Sequence, residues 1–215
     1  DGYLVEALIN YLVKTGWSHG DDEFFTLDEL LKLFTIEKVT KSSAIFDYDK
    51  LNWLNQHYIK SKNIKDIANM VLPYLRSLKV NIADRDYLEN ILSLGIDRDY
   101  NLKDIANGMT HYFQEKLTYD LDNFSKIDIE KSKSILKNVL VKIEQNEFKN
   151  KENISIDIKQ VCEDMSLKFK DIGPVIRFAL TAKLKAPSID ELCFTLGKTR
   201  SLKRLNDFYT FIINL

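Results

Sequence analysis

Residues 171–205 read DIGPVIRFALTAKLKAPSIDELCFTLGKTRSLKRL. The opening part, Asp171–Leu184, is almost wholly apolar and carries Pro174. This predicts a central buried helix with Pro174 near its first position. A turn, "KAPSIDEL", follows. There Ser188 and Glu191 have the spacing of a capping box for a second helix, which Gly197 should end. Ser201 is expected to cap a third, with Leu202, Leu205, Phe208 and Ile212 facing inward. Helix periodicity and helix punctuation account for the whole stretch, so its reading is all-α.

The same devices recur toward the N-terminus. Leu4, Leu8 and Leu12 form an expected stripe ended by Gly16. Thr26 and Glu29 make a capping box, with Phe25 stapling onto Leu30. Asp47 caps the next helix, Phe46 is placed to staple onto Leu51, and Leu51, Leu54 and Tyr58 share a face. "EKVTKSSAI", residues 37–45, is expected to be an extended loop between these helices. Asn63 starts a helix with Ile64, Ile67, Val71 and Leu75 inward and a kink at Pro73. "DRDYLENILSLG" is a short helix stopped by Gly95. Asn101 caps a further one, with Leu102, Ile105, Met109 and Tyr112 in register. Periodicity weakens over residues 118–126, a candidate boundary. A long helix is expected over Asp128–Asn146 with Leu136, Val139, Leu140 and Ile143 inward. "FKNKEN", residues 148–153, reads as a charged loop, and Ile158, Val161 and Met165 mark another helix. The expected architecture is an all-α array of about ten helices forming consecutive helical subdomains.

Composition agrees. Of 215 residues, 45% are hydrophobic and 29% charged, whereas Gly (7) and Pro (3) are scarce. Few breakers and many aliphatics favour helices over a turn-rich β fold. No apolar run approaches the roughly 18–20 residues of a membrane span. Formal net charge is −1, so nucleic-acid binding would have to rest on a local patch. The two cysteines, Cys162 and Cys193, are expected to be buried free thiols of a reducing cytoplasm. His19, His57 and His111 are too dispersed for a zinc cage. The opening "DGYLVEAL" has no initiator Met, charged n-region or cleavage site, and is expected to belong to a longer protein.

Two stretches invite a functional reading. "GWSHGDDE", residues 16–23, gathers a Trp, a His and three acids. Adjacent loop acids diverge, however, and acids before a helix suit its positive end; no nucleophile is spaced to use His19 as a base. Near the C-terminus, Arg177, Lys183, Lys185, Lys198, Arg200, Lys203 and Arg204 place seven positive charges within 28 residues. Such a run is ordinarily a solvated face. Here it flanks the Pro-containing turn, where backbone groups could meet an unstacked base.

"GYLVEALINYLVKTGWSHGDDEFFTLDELLKLF" followed by "KSSAIFDYDKLNWLNQHYIK" resembles the C-terminal part of a bacterial-type glutamyl-tRNA synthetase, a class I aminoacyl-tRNA synthetase. Gly2-Tyr3, Glu6-Ala7, Asn10-Tyr11-Leu12, Gly16-Trp17-Ser18, Phe46-Asp47 and Lys50-Leu51 carry the resemblance. It continues more weakly to "IRFALTAKLKAPSIDELCFTLGKTRSLKRL". It implies the tail of a stem-contact region at 1–62 and anticodon-binding helical subdomains at 63–118 and 119–215. By the same resemblance the intact enzyme would use ATP and magnesium to attach glutamate to tRNA. This stretch would hold no cofactor and would be inactive alone, as a cytoplasmic monomer. The first anticodon base would be read by Arg177 and the middle base by the turn at Ala186, Pro187 and Ile189. Arg98 would meet the third base, which bears on glutamate versus glutamine tRNA. There "DRDYNLKDI" departs from the family at Asp99 and Tyr100, and Arg98 could instead be a surface ion-pair partner. Ala182 replaces a family Gly. The alternative function is a helical scaffold or protein-interaction module without anticodon preference.

Overall fold

Local caps and buried helix faces organise the chain, whose computed structural model describes residues 1–40, 45–120 and 128–215. Those residues form eleven α-helices and two 3-10 turns, with no strand among them. Contacts divide the chain into two units, Asp1–Thr110 and His111–Leu215.

The first unit contains α1 (Val5–Lys14), α2 (Leu27–Leu33), a 3-10 turn (Ile36–Lys38), α3 (Tyr48–Ser61), α4 (Ile64–Ser77), α5 (Arg85–Gly95) and α6 (Leu102–Met109). Helix α1 packs on α3, and α4, α5 and α6 pack on one another. The caps are set by chemistry within three residues. Glu29 N donates to Thr26 Oγ1 at 3.2 Å while the Glu29 carboxylate accepts from Thr26 N at 2.7 Å. Asp47, Asn63 and Asn101 each accept from the backbone N–H three residues on. Each such cap stabilises its helix by about 1 kcal/mol. Phe25 and Leu30 bury together with Trp17, as the staple predicts. Phe46 packs its ring against Tyr11 and Tyr48.

Two expectations need correction here. Leu12 is 63% exposed, whereas Leu4, Ala7 and Tyr11 are buried. A strict i, i+4, i+8 row drifts about 40° per step around a helix of 3.6 residues per turn, so the core follows the i+3/i+4 alternation. The loop at 37–45 is not extended at its start, because Ile36–Lys38 is a 3-10 turn; its residues 41–44 lie outside the described residues. Gly16 does follow α1, but its φ is not left-handed. A Cβ there would stand 3.3 Å from Val39 Cγ1, and Thr40 N donates to the Gly16 carbonyl at 2.8 Å. Close approach explains this glycine.

After a 3-10 turn at Thr110–Tyr112, the second unit contains α7 (Ile129–Gln145), α8 (Lys151–Asp164), α9 (Phe169–Thr181), α10 (Ile189–Leu196) and α11 (Lys198–Ile213). The candidate boundary at 118–126 lies mostly outside the described residues. Helix α7 packs on α8, α9 and α11, and α10 packs on α8, α9 and α11. Helix α9 is the expected buried helix: Ile172, Gly173, Val175, Ile176 and Phe178 through Thr181 are buried. It starts a turn earlier than Pro174 suggested, with the Asp171 carboxylate accepting from Lys168 N at 3.2 Å. The charged loop at 148–153 is half helix, since Asn150 caps α8 and accepts from Asn153 N at 2.9 Å.

Two predicted serine caps do not form. Ser188 makes no side-chain cap, and Glu191 instead pairs with Lys151 at 3.4 Å. Ser201 lies inside α11, which begins right after Gly197, and its hydroxyl donates to the Cys193 carbonyl at 3.2 Å. Gly197, at φ 76°, both ends α10 and starts α11. Cys193 is buried, and burial pushes its thiol up to about 12; Cys162 is half-buried rather than buried.

Candidate nucleic-acid interface

The turn between α9 and α10 is where the sequence placed most of its candidates, and the fold joins two of them. Arg177 lies just before the last turn of α9, and its Nε donates to the Pro187 carbonyl at 3.1 Å. Thr181 Oγ1 donates to the Arg177 carbonyl at 2.7 Å and accepts from Lys183 N at 3.1 Å. The chain leaves α9 through Ala182 at φ 54°, ψ 23°. That left-handed conformation costs an L-residue about 1 kcal/mol relative to glycine. It is the position where the resemblance expects Gly.

Arg177 is half-buried, and its two terminal NH2 groups make no hydrogen bond among the described residues. A planar guanidinium with its fork open can bind a base edge or a phosphate. Ala186 is half-buried, but Pro187 and Ile189 are buried, so neither side chain offers a contact face. The residues that the turn exposes are Lys183, Leu184 and Lys185. Because Ser188 does not cap α10, the first-turn N–H groups of that helix lack a side-chain acceptor.

Helix α9 carries a feature that the sequence reading missed. Phe169, Gly173 and Arg177 recur every four residues, on one helical face. Phe169 is 46% exposed, and the Arg177 guanidinium lies over its ring at 5.7 Å. Gly173 is the gap that admits both: a Cβ there would stand 3.3 Å from Arg177 Nη1 and 3.3 Å from Phe169 Cε1. Their spacing was the available signal.

The basic run divides once folded. Arg204 is 1% exposed, and its guanidinium donates to the carbonyls of Leu180, His111, Tyr112 and Gln114 at 2.6–3.1 Å. Lys198 Nζ binds the carbonyls of Glu144 and Asn146, and Lys203 Nζ that of Glu115. These residues satisfy backbone carbonyls inside the unit. Lys183, Lys185 and Arg200 are exposed. On the same unit, the Lys131 ammonium beside Asp171 holds that carboxyl below its ordinary range.

Arg98, in the first unit, stands on the turn between α5 and α6. It is exposed and makes no ion pair among the described residues. Its turn is held from outside: Asn55 Nδ2 donates to the Tyr100 carbonyl at 2.5 Å, Gln56 Nε2 to the Asp97 carbonyl at 3.0 Å, and Lys60 pairs with Asp97 at 3.3 Å.

The loop at 16–23 is a structural corner. Trp17 is buried, with His19 stacked on it at 6.0 Å. Asn10 spans the corner, donating to the Glu23 carbonyl at 2.8 Å and accepting from Phe25 N at 2.9 Å. Glu23 does not serve the end of α2; it pairs with Lys14 and Lys50, each at 3.2 Å. Partial burial works to raise its carboxyl, but those two ammonium groups outweigh it and the net shift is downward. Among the described residues no three His, Cys, Asp or Glu side chains gather as a metal cage. No helix among them is long and apolar enough to cross a membrane.

These helical units have counterparts. The family profile described as an anticodon binding domain matches residues 66–209, and that of the class I (E and Q) tRNA synthetase catalytic domain matches residues 1–53. The chain therefore belongs to the anticodon-binding domain family of class I tRNA synthetases, preceded by a stretch of their catalytic family. Its relatives are glutamate–tRNA ligases. It is 37% identical over 211 residues to glutamate–tRNA ligase 1 of Syntrophus aciditrophicus, covering 98% of this chain and 45% of that protein. It is 31% identical to the glutamate–tRNA ligase of Buchnera aphidicola, covering 100% of this chain and 46% of that one. The fold matches the crystal structure of a glutamate tRNA ligase from Elizabethkingia meningosepticum with TM-score 0.87 at 27% identity, over 98% of this chain and 42% of that one. The chain thus spans less than half the length of these relatives.

Proposed function

We propose that this chain is the tRNA-recognising portion of a glutamate–tRNA ligase, and that it reads the anticodon. The observation that carries the reading is the Arg177–Pro187 hydrogen bond of 3.1 Å. It locks the one half-exposed arginine of α9 to the turn whose first-turn N–H groups stay open. Side-chain fork and helix-end backbone then stand together, the combination that reads splayed single-stranded bases. Family membership supports this over a scaffold without anticodon preference. Arg177 meets the first anticodon base. The backbone of Ala186, Pro187 and Ile189 meets the middle base, the side chains of Pro187 and Ile189 being buried. Arg98 meets the third.

The parent protein, on this reading, attaches glutamate to tRNA with ATP and magnesium in a cytoplasmic monomer. This chain alone is inactive and holds neither cofactor. The stem-contact tail covers 1–62, with anticodon-binding subdomains at 63–118 and 119–215. The first join is supported by the profile matches, which end at 53 and resume at 66. Discrimination between glutamate and glutamine tRNA rests with the turn at Arg98.

The test is binding of Arg177→Ala and the unaltered chain to glutamate tRNA and to the same tRNA with a changed first anticodon base. The variant should bind glutamate tRNA about 5- to 100-fold more weakly and lose the difference between the two tRNAs. Equal loss on both would reduce Arg177 to a phosphate contact.

A further inference from the structure

We infer that Phe169 is a stacking platform for the nucleobase whose edge Arg177 meets. The inference rests on the anticodon reading above and adds a residue that nothing else in the chain points to. Three observations converge on it. Phe169 is 46% exposed, although it opens the most buried helix of its unit. Its ring lies beneath the Arg177 guanidinium at 5.7 Å. Gly173, between them on the same face, leaves a gap that a methyl group would close from both sides at 3.3 Å.

A single exposed apolar side chain is ordinary on a protein surface. This ring differs in being held beside a guanidinium whose NH2 groups are open, with a side-chain-free floor between them. An aromatic face accepts any base by stacking, and an adjacent arginine adds edge contacts that discriminate among bases. Stacking alone is tolerant of sequence. The pair therefore divides the work: Phe169 supplies affinity for a splayed base, and Arg177 decides which base it is. The stacking contact is uncharged, so it releases no counterion and leaves the salt dependence of binding unchanged.

The experiment is a thermodynamic cycle on the full chain with two probes: the glutamate tRNA anticodon stem-loop, and the same stem-loop made abasic at the first anticodon position. Phe169→Leu keeps apolar bulk and removes the ring face. It should weaken binding of the intact stem-loop about 5- to 100-fold, with an unchanged slope of log affinity against log salt. On the abasic stem-loop it should make no difference. Phe169→Tyr should restore affinity, and Gly173→Ala should lower it by displacing both partners. Equal affinity of Phe169→Leu and the unaltered chain overturns the inference, as does an equal loss on both stem-loops, which would make the ring structural. If the unaltered chain shows no preference for the glutamate anticodon, the anticodon reading itself fails. If that preference is present and the Phe169 variant is neutral, only the platform fails.

Discussion

The two turns that carry candidate arginines are held in opposite ways. Around Arg98 the support comes from α3, whose Asn55, Gln56 and Lys60 grip the backbone and the Asp97 carboxylate. The arginine is left out of that support and projects into solvent. Around residues 182–188 the arginines are the support. Arg177 holds the Pro187 carbonyl, and from beneath Arg204 holds the Leu180 carbonyl. An arginine outside the frame can change with little structural consequence. One inside it couples recognition to stability.

That contrast is most exposed to a change at Arg204. Arg204→Met removes donors to three buried carbonyl groups and one part-buried one at once, and each buried group left unsatisfied costs about 1–3 kcal/mol. The expected loss in urea unfolding is about 3–5 kcal/mol. Arg98→Ala, by comparison, should leave unfolding within about 0.5 kcal/mol while weakening tRNA binding. Comparable destabilisation by both would erase the distinction between the turns.

The first unit can be tested through the residue that grips its turn. Asn55 is fully buried, accepts from Leu4 N at 2.8 Å and donates to the Tyr100 carbonyl. Asn55→Ala should cost about 2–3 kcal/mol by leaving those two groups unpaired. It should also speed hydrogen exchange at residues 97–101, where Arg98→Ala leaves exchange unaltered. A smaller and opposite effect is expected at the second turn. Ala182→Gly relieves the left-handed backbone at φ 54° and should raise stability by about 0.5–1 kcal/mol, read as a higher urea midpoint at constant slope. A decrease would mean that the Ala182 methyl contributes packing that outweighs the strain.

Much of the fold was legible because the signals were short. A cap at Thr26, Asp47, Asn63 or Asn101 needs only its own side chain and an N–H three residues away. The failures share a cause. At Ser188 the partner Glu191 is drawn to Lys151 on another helix, and Ser201 lies inside α11 with its hydroxyl on the Cys193 carbonyl of α10. The basic run misled for the same reason. Counting charge along the chain put Arg204 with the solvent-facing set. Folded, it shares the inward face of α11 with Ser201, Leu205, Phe208 and Ile212, and all five are buried.

The sequence by itself determined that the chain is helical, where most helices start, and, through the resemblance carried by residues 2–51 and 176–205, the family to which it belongs. Those properties depend on periodicity and on contacts a few residues apart. Only the tertiary structure decided which arginines face outward and which hold carbonyls, that Arg177 meets Pro187, and that Pro187 and Ile189 turn their side chains inward. It also left the Phe169 ring exposed, although the spacing that sets Phe169 and Arg177 on one helical face is local. Each of these depends on which surface a neighbouring helix covers, and no local pattern encodes that.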